Sequence, residues 1–265
     1  MTHMAENPTA IERKLKAGLF LNSVLPAFED LLQHSERAQS ILAERRFSVR
    51  FQTSSGLKST LLFANGQCAF KPGKTLKSDI VLHFFTEEQL INEFEHSGFR
   101  VPIPIKGASR FKDLKAIKAL SSELENSLRP SEAQLADTKL HNFHLSLQLG
   151  IALRAAIELS VHEPRSRSIM KDAPEGTAYF SVGEEGYGAW LEWRKGSIYY
   201  GKGPPQNKPD VHVAFSNAET ALKAIGNRID VMAAIGLGYI SVTGLIPLAD
   251  ALGYIFERIP IYLEP

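Results

Sequence analysis

The chain has 265 residues, enough for one large or two medium globular domains with a sizeable core. Its 30 lysines and arginines nearly balance its 29 aspartates and glutamates, which leaves a net charge of +1 at pH 7. This balance excludes the long-range field that recruits nucleic acid or acidic lipid, so we predict no nucleic-acid partner.

The first half of the chain predicts a helix followed by a β-hairpin. Apolar residues recur at helical spacings from about Val24 to Ala43, which favours an amphipathic helix. Residues 57–70 alternate at period two on both sides of Asn65-Gly66, the pattern of a half-buried hairpin with a tight turn.

Two more strands and two helices are predicted after this hairpin. Residues 77–85 alternate, with Ile80, Leu82 and Phe84 on one face. Thr86 has the chemistry of an N-cap, so a helix should begin near residue 87. The next strand is predicted at residues 101–107, and a final helix follows it.

A linker and a long helix separate the two halves. Polarity rises over residues 126–138, where Pro130 interrupts the pattern. The segment from Thr138 to Val161 alternates like a strand at its centre, but strong helix formers dominate its continuation. We therefore predict one long helix, equivalent to the Val24 to Ala43 segment.

The second half repeats the strand patterns of the first. The matched segments are 57–70 with 187–200, 77–85 with 208–216, and 101–107 with 238–244. Ile103 and Ile105 then correspond to Ile240 and Val242, and Gly107 to Gly244. A helix should begin near residue 218, capped by Ser216 or Asn217. Such self-similarity predicts a duplicated unit.

We define the first repeat as residues 10–125 and the second repeat as residues 138–265. The sequence of each repeat predicts, in chain order, a helix, three or four antiparallel strands, a helix, a strand and a helix. This is an α+β fold in which helices cover one face of a mainly antiparallel sheet. Pro260 should end the last helix before an apolar tail.

The segment GNRIDVMAAIGLGYISVTGLIPLADALGYIF, residues 226–256, resembles the C-terminal half of sterol carrier protein type two (SCP-like) domains. The strand from Gly238 to Gly244 and the apolar helix that follows carry the resemblance. It implies helices that close over the sheet around an apolar tunnel, with the last segment as a lid. It also implies fatty acids, acyl thioesters, sterols or similar lipids as ligands.

The resemblance extends over residues 177–263 and, less closely, over residues 47–120. In the first repeat, Lys112, Lys115 and Lys118 stand where the second repeat has apolar residues. We therefore expect a tandem of two SCP-like domains, in which the first repeat is degenerate and supporting and the second binds the ligand.

Candidate ligand contacts are large apolar or aromatic side chains of the second repeat. They stand at the inward-facing positions of the strands or on the helices that cover the sheet. They are Leu191, Trp193, Tyr200, Phe215, Ile225, Met232, Ile235, Leu252 and Phe256. The same residue types fill ordinary cores, so core packing is the alternative interpretation. Met232 is flexible and stands beside two alanines, which leaves room for a ligand.

Motifs for catalysis, metal binding or cofactors are incomplete. His141 and His144 stand one helical turn apart and, with Glu158 or His162, are a candidate zinc site, but no HExxH pattern or cysteine cluster completes it. Solvated or packing histidines are the preferred interpretation. The sequence has no GxSxG elbow, and Cys68 stands at an inward strand position typical of core. We predict no enzyme, no metal and no cofactor.

The predicted function is non-catalytic binding or transfer of a hydrophobic ligand in an apolar cavity. The alternative is an accessory module without cargo that pairs with a second copy or supports a lipid- or quinone-pathway enzyme. One cysteine, the absence of a signal-like apolar start and the absence of ~18 consecutive apolar residues predict a cytoplasmic protein without an integral membrane segment.

Overall fold

The structure is a computed structural model that describes residues 9–73, 77–95, 102, 104–183 and 187–263. It has two five-stranded sheets, each packed by helices, and confirms the predicted α+β class. Ile103, one of the matched strand positions, lies outside the described residues.

The first half contains helices, a π-helical segment and the first sheet. The elements are α1 (Ala10–Leu19), the π-helical segment (Phe20–Val24), α2 (Ala27–His34), α3 (Glu36–Leu42), β1 (Phe47–Thr53), β2 (Lys58–Ala64), β3 (Gln67–Pro72), β4 (Ile80–Phe84), α4 (Glu87–Glu95), β5 (Pro104–Lys106) and α5 (Phe111–Leu128).

The second half contains the longest helix and the second sheet. The elements are α6 (Glu132–Leu135), α7 (Thr138–His162), α8 (Pro164–Asp172), β6 (Gly176–Val182), β7 (Tyr187–Arg194), β8 (Ser197–Lys202), β9 (Val211–Phe215), α9 (Ala218–Ile225), α10 (Val231–Gly236), β10 (Ile240–Gly244), α11 (Ile246–Phe256) and α12 (Ile259–Leu263).

Both sheets have the same topology. The strand order is β3-β2-β1-β4-β5 in the first sheet and, read from the opposite edge, β8-β7-β6-β9-β10 in the second. The central pairs β1 with β4 and β6 with β9 are parallel, and the other pairs are antiparallel. Both predicted hairpins form, with positive φ at Asn65 and Gly66 and at Lys195 and Gly196. That geometry matches a two-residue type I′ turn.

The duplication extends to single hydrogen bonds. Asp79 Oδ2 accepts the Ser48 N–H at 2.8 Å, and Asp210 Oδ2 accepts the Thr177 N–H at 2.8 Å. Each aspartate therefore connects the strand it precedes to the parallel central strand beside it.

The N-terminal helix of the first repeat differs from the prediction. A helix already begins at Ala10, where Thr9 and Glu12 form a capping box. Within the Val24 to Ala43 stretch, α2 begins after Pro26, and Ser35 separates α2 from α3 because it leaves the helical conformation and caps α3. The predicted single helix is therefore wrong in both its start and its continuity.

Helix α7 separates two hydrophobic cores. Leu147 and Ile151 pack in the core of the first sheet, whereas Leu145, Leu149 and Leu153 pack in the core of the second. Two apolar stripes on one helix produce the strand-like alternation that made this segment ambiguous in the sequence.

The C-terminal segment also differs from the prediction. Helix α11 ends at Phe256, and the apolar tail is itself a short helix, α12. Pro260 stands in the first turn of α12, where a helix does not need the missing N–H. The prediction that Pro260 ends the last helix is thus corrected.

Candidate functional site

A cavity of about 470 Å³ lies where the helices of the first repeat meet α7, α9 and α12. Apolar side chains from both halves form most of its wall. They are Phe20, Val24, Leu25, Phe28, Phe51, Phe94, Leu124, Leu128, Ile151, Ala152, Leu222, Ile225, Ile259, Pro260 and Leu263. The cavity therefore depends on how the two repeats pack together.

Aromatic rings supply much of the wall on the first-repeat side. Phe20 stacks on Phe94 with ring centroids 5.1 Å apart, and Phe28 contacts Phe63 edge to face. Phe20 and Val24 are the ends of the π-helical segment. Such wide turns occur often at functional sites.

Polar side chains also line the cavity. His144 Nδ1 is 3.0 Å from the Ser127 carbonyl oxygen, and Gln148 Nε2 donates to the Leu128 carbonyl at 3.3 Å. Burial lowers the pKa of His144, so its imidazole is neutral at pH 7. Arg129, Arg228 and the carboxylates of Glu93, Glu95 and Glu125 also line the cavity. The apolar wall is therefore accompanied by polar groups of both charges, and the hydrogen bonds of His144 and Gln148 named above go to backbone carbonyls.

The nine candidate residues of the second repeat do not gather around this cavity. Ile225 lines it, whereas Leu191, Phe215 and Leu252 are buried in the second core. The partly buried residues packed against that core are Trp193, Tyr200, Ile235 and Phe256. Met232 is 75% exposed on α10. The alternation of residues along a strand identifies the side chains that face the core. It cannot show where the packing of that core leaves a cavity.

The lysines that suggested a degenerate first repeat lie on the solvent face of α5. Lys112, Lys115 and Lys118 are exposed, while Ile117 and Leu120 of the same helix are fully buried. Positions that match in sequence therefore face different directions on the final helices of the two repeats. The first repeat keeps an apolar covering helix.

The residues of the candidate zinc site are far apart. His144 and Glu158 are separated by 14 positions on α7, which is about 21 Å along a helix. Among the described residues, no group of three or more histidines, cysteines, aspartates or glutamates is placed to hold a metal ion. Burial, with Glu29 nearby, raises the pKa of Cys68 well above its usual value and keeps the thiol protonated.

No helix in the described part of the chain combines the length and the hydropathy that crossing a membrane requires.

Comparison with known proteins gives matches among solved structures. No model of a protein family and no curated protein matches the chain. A ubiquinone synthesis protein, UbiJ-SCP2, is 15% identical over 39% of this chain and 85% of its own, with a TM-score of 0.32. Sterol carrier protein domain 2 of Helicoverpa armigera is 18% identical over 44% and 92%, with a TM-score of 0.33.

The apo form of sterol carrier protein 2 from Yarrowia lipolytica gives a similar result, with 14% identity over 41% of this chain and 86% of its own and a TM-score of 0.33. Each match thus spans most of an SCP2 domain and less than half of this chain. Scores this low assign no role to any residue. The solved structures to which the chain is similar include several SCP2 domains, the same group that its sequence resembles.

Proposed function

We propose that the protein binds or transfers a hydrophobic small molecule, without catalysis, in the cavity between the two repeats. The apolar wall of this cavity is the observation that carries the proposal. Its volume of about 470 Å³ falls within the usual range of ligand pockets. A void of this size forfeits dispersion contacts that a hydrophobic ligand would restore.

The position of the polar side chains favours an amphiphilic ligand. The apolar body would lie against the stacked rings of Phe20 and Phe94, and a polar end would face His144 and Gln148. Suitable test ligands are a fatty acid, an acyl thioester and a sterol. A quinone belongs in the same panel because the similar UbiJ-SCP2 is named as a ubiquinone synthesis protein.

Two adjacent serines on α5 provide a matched test. Ser121 lines the cavity and Ser122 is exposed. We expect Ser121→Phe to fill the cavity and weaken binding of a fluorescent fatty-acid analogue by about tenfold or more, since overpacking a preformed site excludes the ligand. Ser122→Phe should bind it like the wild type. Native mass spectrometry would identify ligand retained from the cell.

Equal affinity in the two variants would contradict the proposed location. Ligand-induced quenching that is lost in Trp193→Phe, together with unchanged binding in Ser121→Phe, would instead favour the nine residues predicted in the second repeat. If no member of the panel binds and no retained mass is found, the lipid-binding function itself is wrong, and the accessory-module alternative is favoured.

A further inference from the structure

One face of the second sheet is open. The helices pack on the face that carries Ala178, Leu191 and Val211, which are buried in the second core. Side chains at alternate positions point outward, because successive residues of a strand face opposite sides of the sheet. At these outward positions of β6 to β10, every residue is exposed or half-buried. The corresponding face of the first sheet instead contains the buried Thr60 and Val81.

Four aromatic side chains stand on this open face, and we call them the aromatic platform. Tyr179 of β6 is opposite Trp190 of β7 on one side and opposite His212 of β9 on the other. Tyr199 of β8 points to the same side of the sheet. The Tyr179 and His212 rings are stacked, with centroids 5.2 Å apart and planes 21° from parallel. The row exists only in the folded sheet, since its members are distant along the chain.

Two glycines allow the larger rings to lie flat. Gly201 is opposite Trp190, and a Cβ placed on Gly201 would lie 2.3 Å from two atoms of the indole ring. A Cβ placed on Gly188 would lie 2.7 Å from Cε2 of Tyr179. Because a strand Cβ points out of the sheet, each ring lies directly over its glycine and along the sheet surface. The other side of each ring therefore faces solvent.

The open face carries no net charge. Among the outward positions of β6 to β10, the formally charged residues are Glu192 and Arg194, and their side chains pair at 2.7 Å. The other polar side chains at these positions, outside the platform, are hydroxyls: Thr177, Ser181, Ser197, Ser241 and Thr243. This composition suits a neutral partner that is rich in hydroxyl groups.

Charge and ring orientation disfavour two other partners that stack on aromatic side chains. Single-stranded nucleic acid needs a positively charged groove beside the stacking rings, and the one guanidinium at these positions is paired with Glu192. A proline-rich segment docks in a groove lined by aromatic rings. Rings that lie flat on a sheet present a plane instead, so the partner must itself have a flat apolar face.

We propose that the aromatic platform binds a neutral, extended oligosaccharide. The axial C–H groups of a β-linked glucose ring form a flat apolar face, which packs on the electron-rich face of an aromatic ring. The equatorial hydroxyls of the sugar point sideways, where the serine and threonine hydroxyls of the open face exchange hydrogen bonds with them. None of the four platform residues lines the cavity, so this site does not depend on the proposed lipid function.

Calorimetric titration of the full chain with cellopentaose tests the proposal. Maltopentaose has the same composition but a curled chain, so we expect it to bind about tenfold more weakly or not at all. Trp190→Ala should weaken cellopentaose binding by about tenfold or more, because tryptophans at the centre of an interface carry much of its binding energy. Trp193→Phe is the matched control, since the other tryptophan of the chain is on the same strand and packs against the second core. It should bind like the wild type.

Two further variants decide the question if Trp190→Ala fails to fold, which urea unfolding would reveal. Tyr199 is 53% exposed, so Tyr199→Ala removes no core contact and should weaken binding by about threefold or more. Gly201→Ala keeps Trp190 but lifts its ring from the sheet, and should weaken binding as much as removing the ring.

The proposal is overturned if cellopentaose does not bind, if maltopentaose binds as tightly, or if Tyr199→Ala and Gly201→Ala bind like the wild type. It is also overturned if single-stranded oligonucleotide or a proline-rich peptide binds the platform more tightly than cellopentaose. Ser121→Phe should leave sugar binding unchanged, so failure of this proposal and failure of the lipid-binding proposal are distinguishable.

Discussion

Gly244→Ala should destabilise the protein by about 3 kcal/mol, one of the largest effects expected of a single methyl group here. Gly244 has a φ of +100°, which side chains rarely adopt, and a Cβ would lie 2.0 Å from the Asp210 carbonyl oxygen. That oxygen also accepts the Leu245 N–H at 2.8 Å. The added carbon therefore forces β10 away from β9. Urea unfolding monitored by circular dichroism measures the loss.

The equivalent glycine of the first repeat should behave in the same way. Gly107 has a φ of +82°, and its Cβ would lie 2.5 Å from the Asp79 carbonyl oxygen. Gly253→Ala is the control, since this glycine lies within α11 with no atom within 4 Å of a Cβ. It should be neutral or raise stability by up to about 1 kcal/mol. Similar losses for Gly244→Ala and Gly253→Ala would contradict this reasoning.

The features predicted correctly from sequence are those with local signals. Asn65-Gly66 specifies a tight turn by itself, and the parity of residues 80–84 and 211–215 identifies one inward face in each sheet. The sequence repeat already showed that Gly107 corresponds to Gly244. The structure adds its cause, which is a close approach to the preceding aspartate carbonyl in both sheets.

The cavity could not be predicted because no local pattern encodes it. Phe20, Phe94, Leu124 and Ile259 line it from four separate elements, and each by itself resembles ordinary core. No helix was predicted before about Val24, so α1 and most of the π-helical segment that contains Phe20 were missed. The capping box of Thr9 and Glu12 was the available signal, and it would have extended the apolar face toward the cavity.

How the two repeats pack against each other also could not be predicted by matching their strands in sequence. Sequence matching treats the repeats as separate units. In the structure they share α7, because Leu147 packs in the core of the first sheet and Leu149 in the core of the second. The cavity lies beside this shared helix. A ligand site at such a junction needs both repeats, so binding of the hydrophobic ligand to either repeat alone is not expected.

Glu158 within α7 and Glu163 immediately after it should respond differently to replacement by glutamine. Glu163 is 3% exposed and accepts hydrogen bonds from Arg258 Nε at 2.6 Å and from the Tyr262 hydroxyl at 3.0 Å. These bonds hold the segment from Arg258 onward, whose α12 forms part of the cavity wall. Glu163→Gln leaves Arg258 without its counter-charge and should cost about 3 kcal/mol. Loosening α12 should also weaken binding of the fluorescent fatty-acid analogue.

Glu158→Gln is the matched control, with no loss of stability expected at neutral pH. Burial raises the pKa of Glu158, so the fold favours its protonated form, which glutamine imitates. Burial also acts to raise the pKa of Glu163, but its hydrogen bonds with Arg258, Ser166 and Tyr262 outweigh burial and lower it.

The pH dependence separates the two glutamates. Stabilisation by Glu163 is present above its ordinary pKa of 4.5 and is lost as the pH falls through the lower pKa of the folded protein. The contribution of Glu158 has the reverse sign: it is present below 4.5 and is lost as the pH rises through the raised folded pKa. Urea unfolding of both variants and the wild type across this range is the measurement. A Glu163→Gln deficit that persists unchanged in acid would mean that Arg258 does not depend on the charge of Glu163.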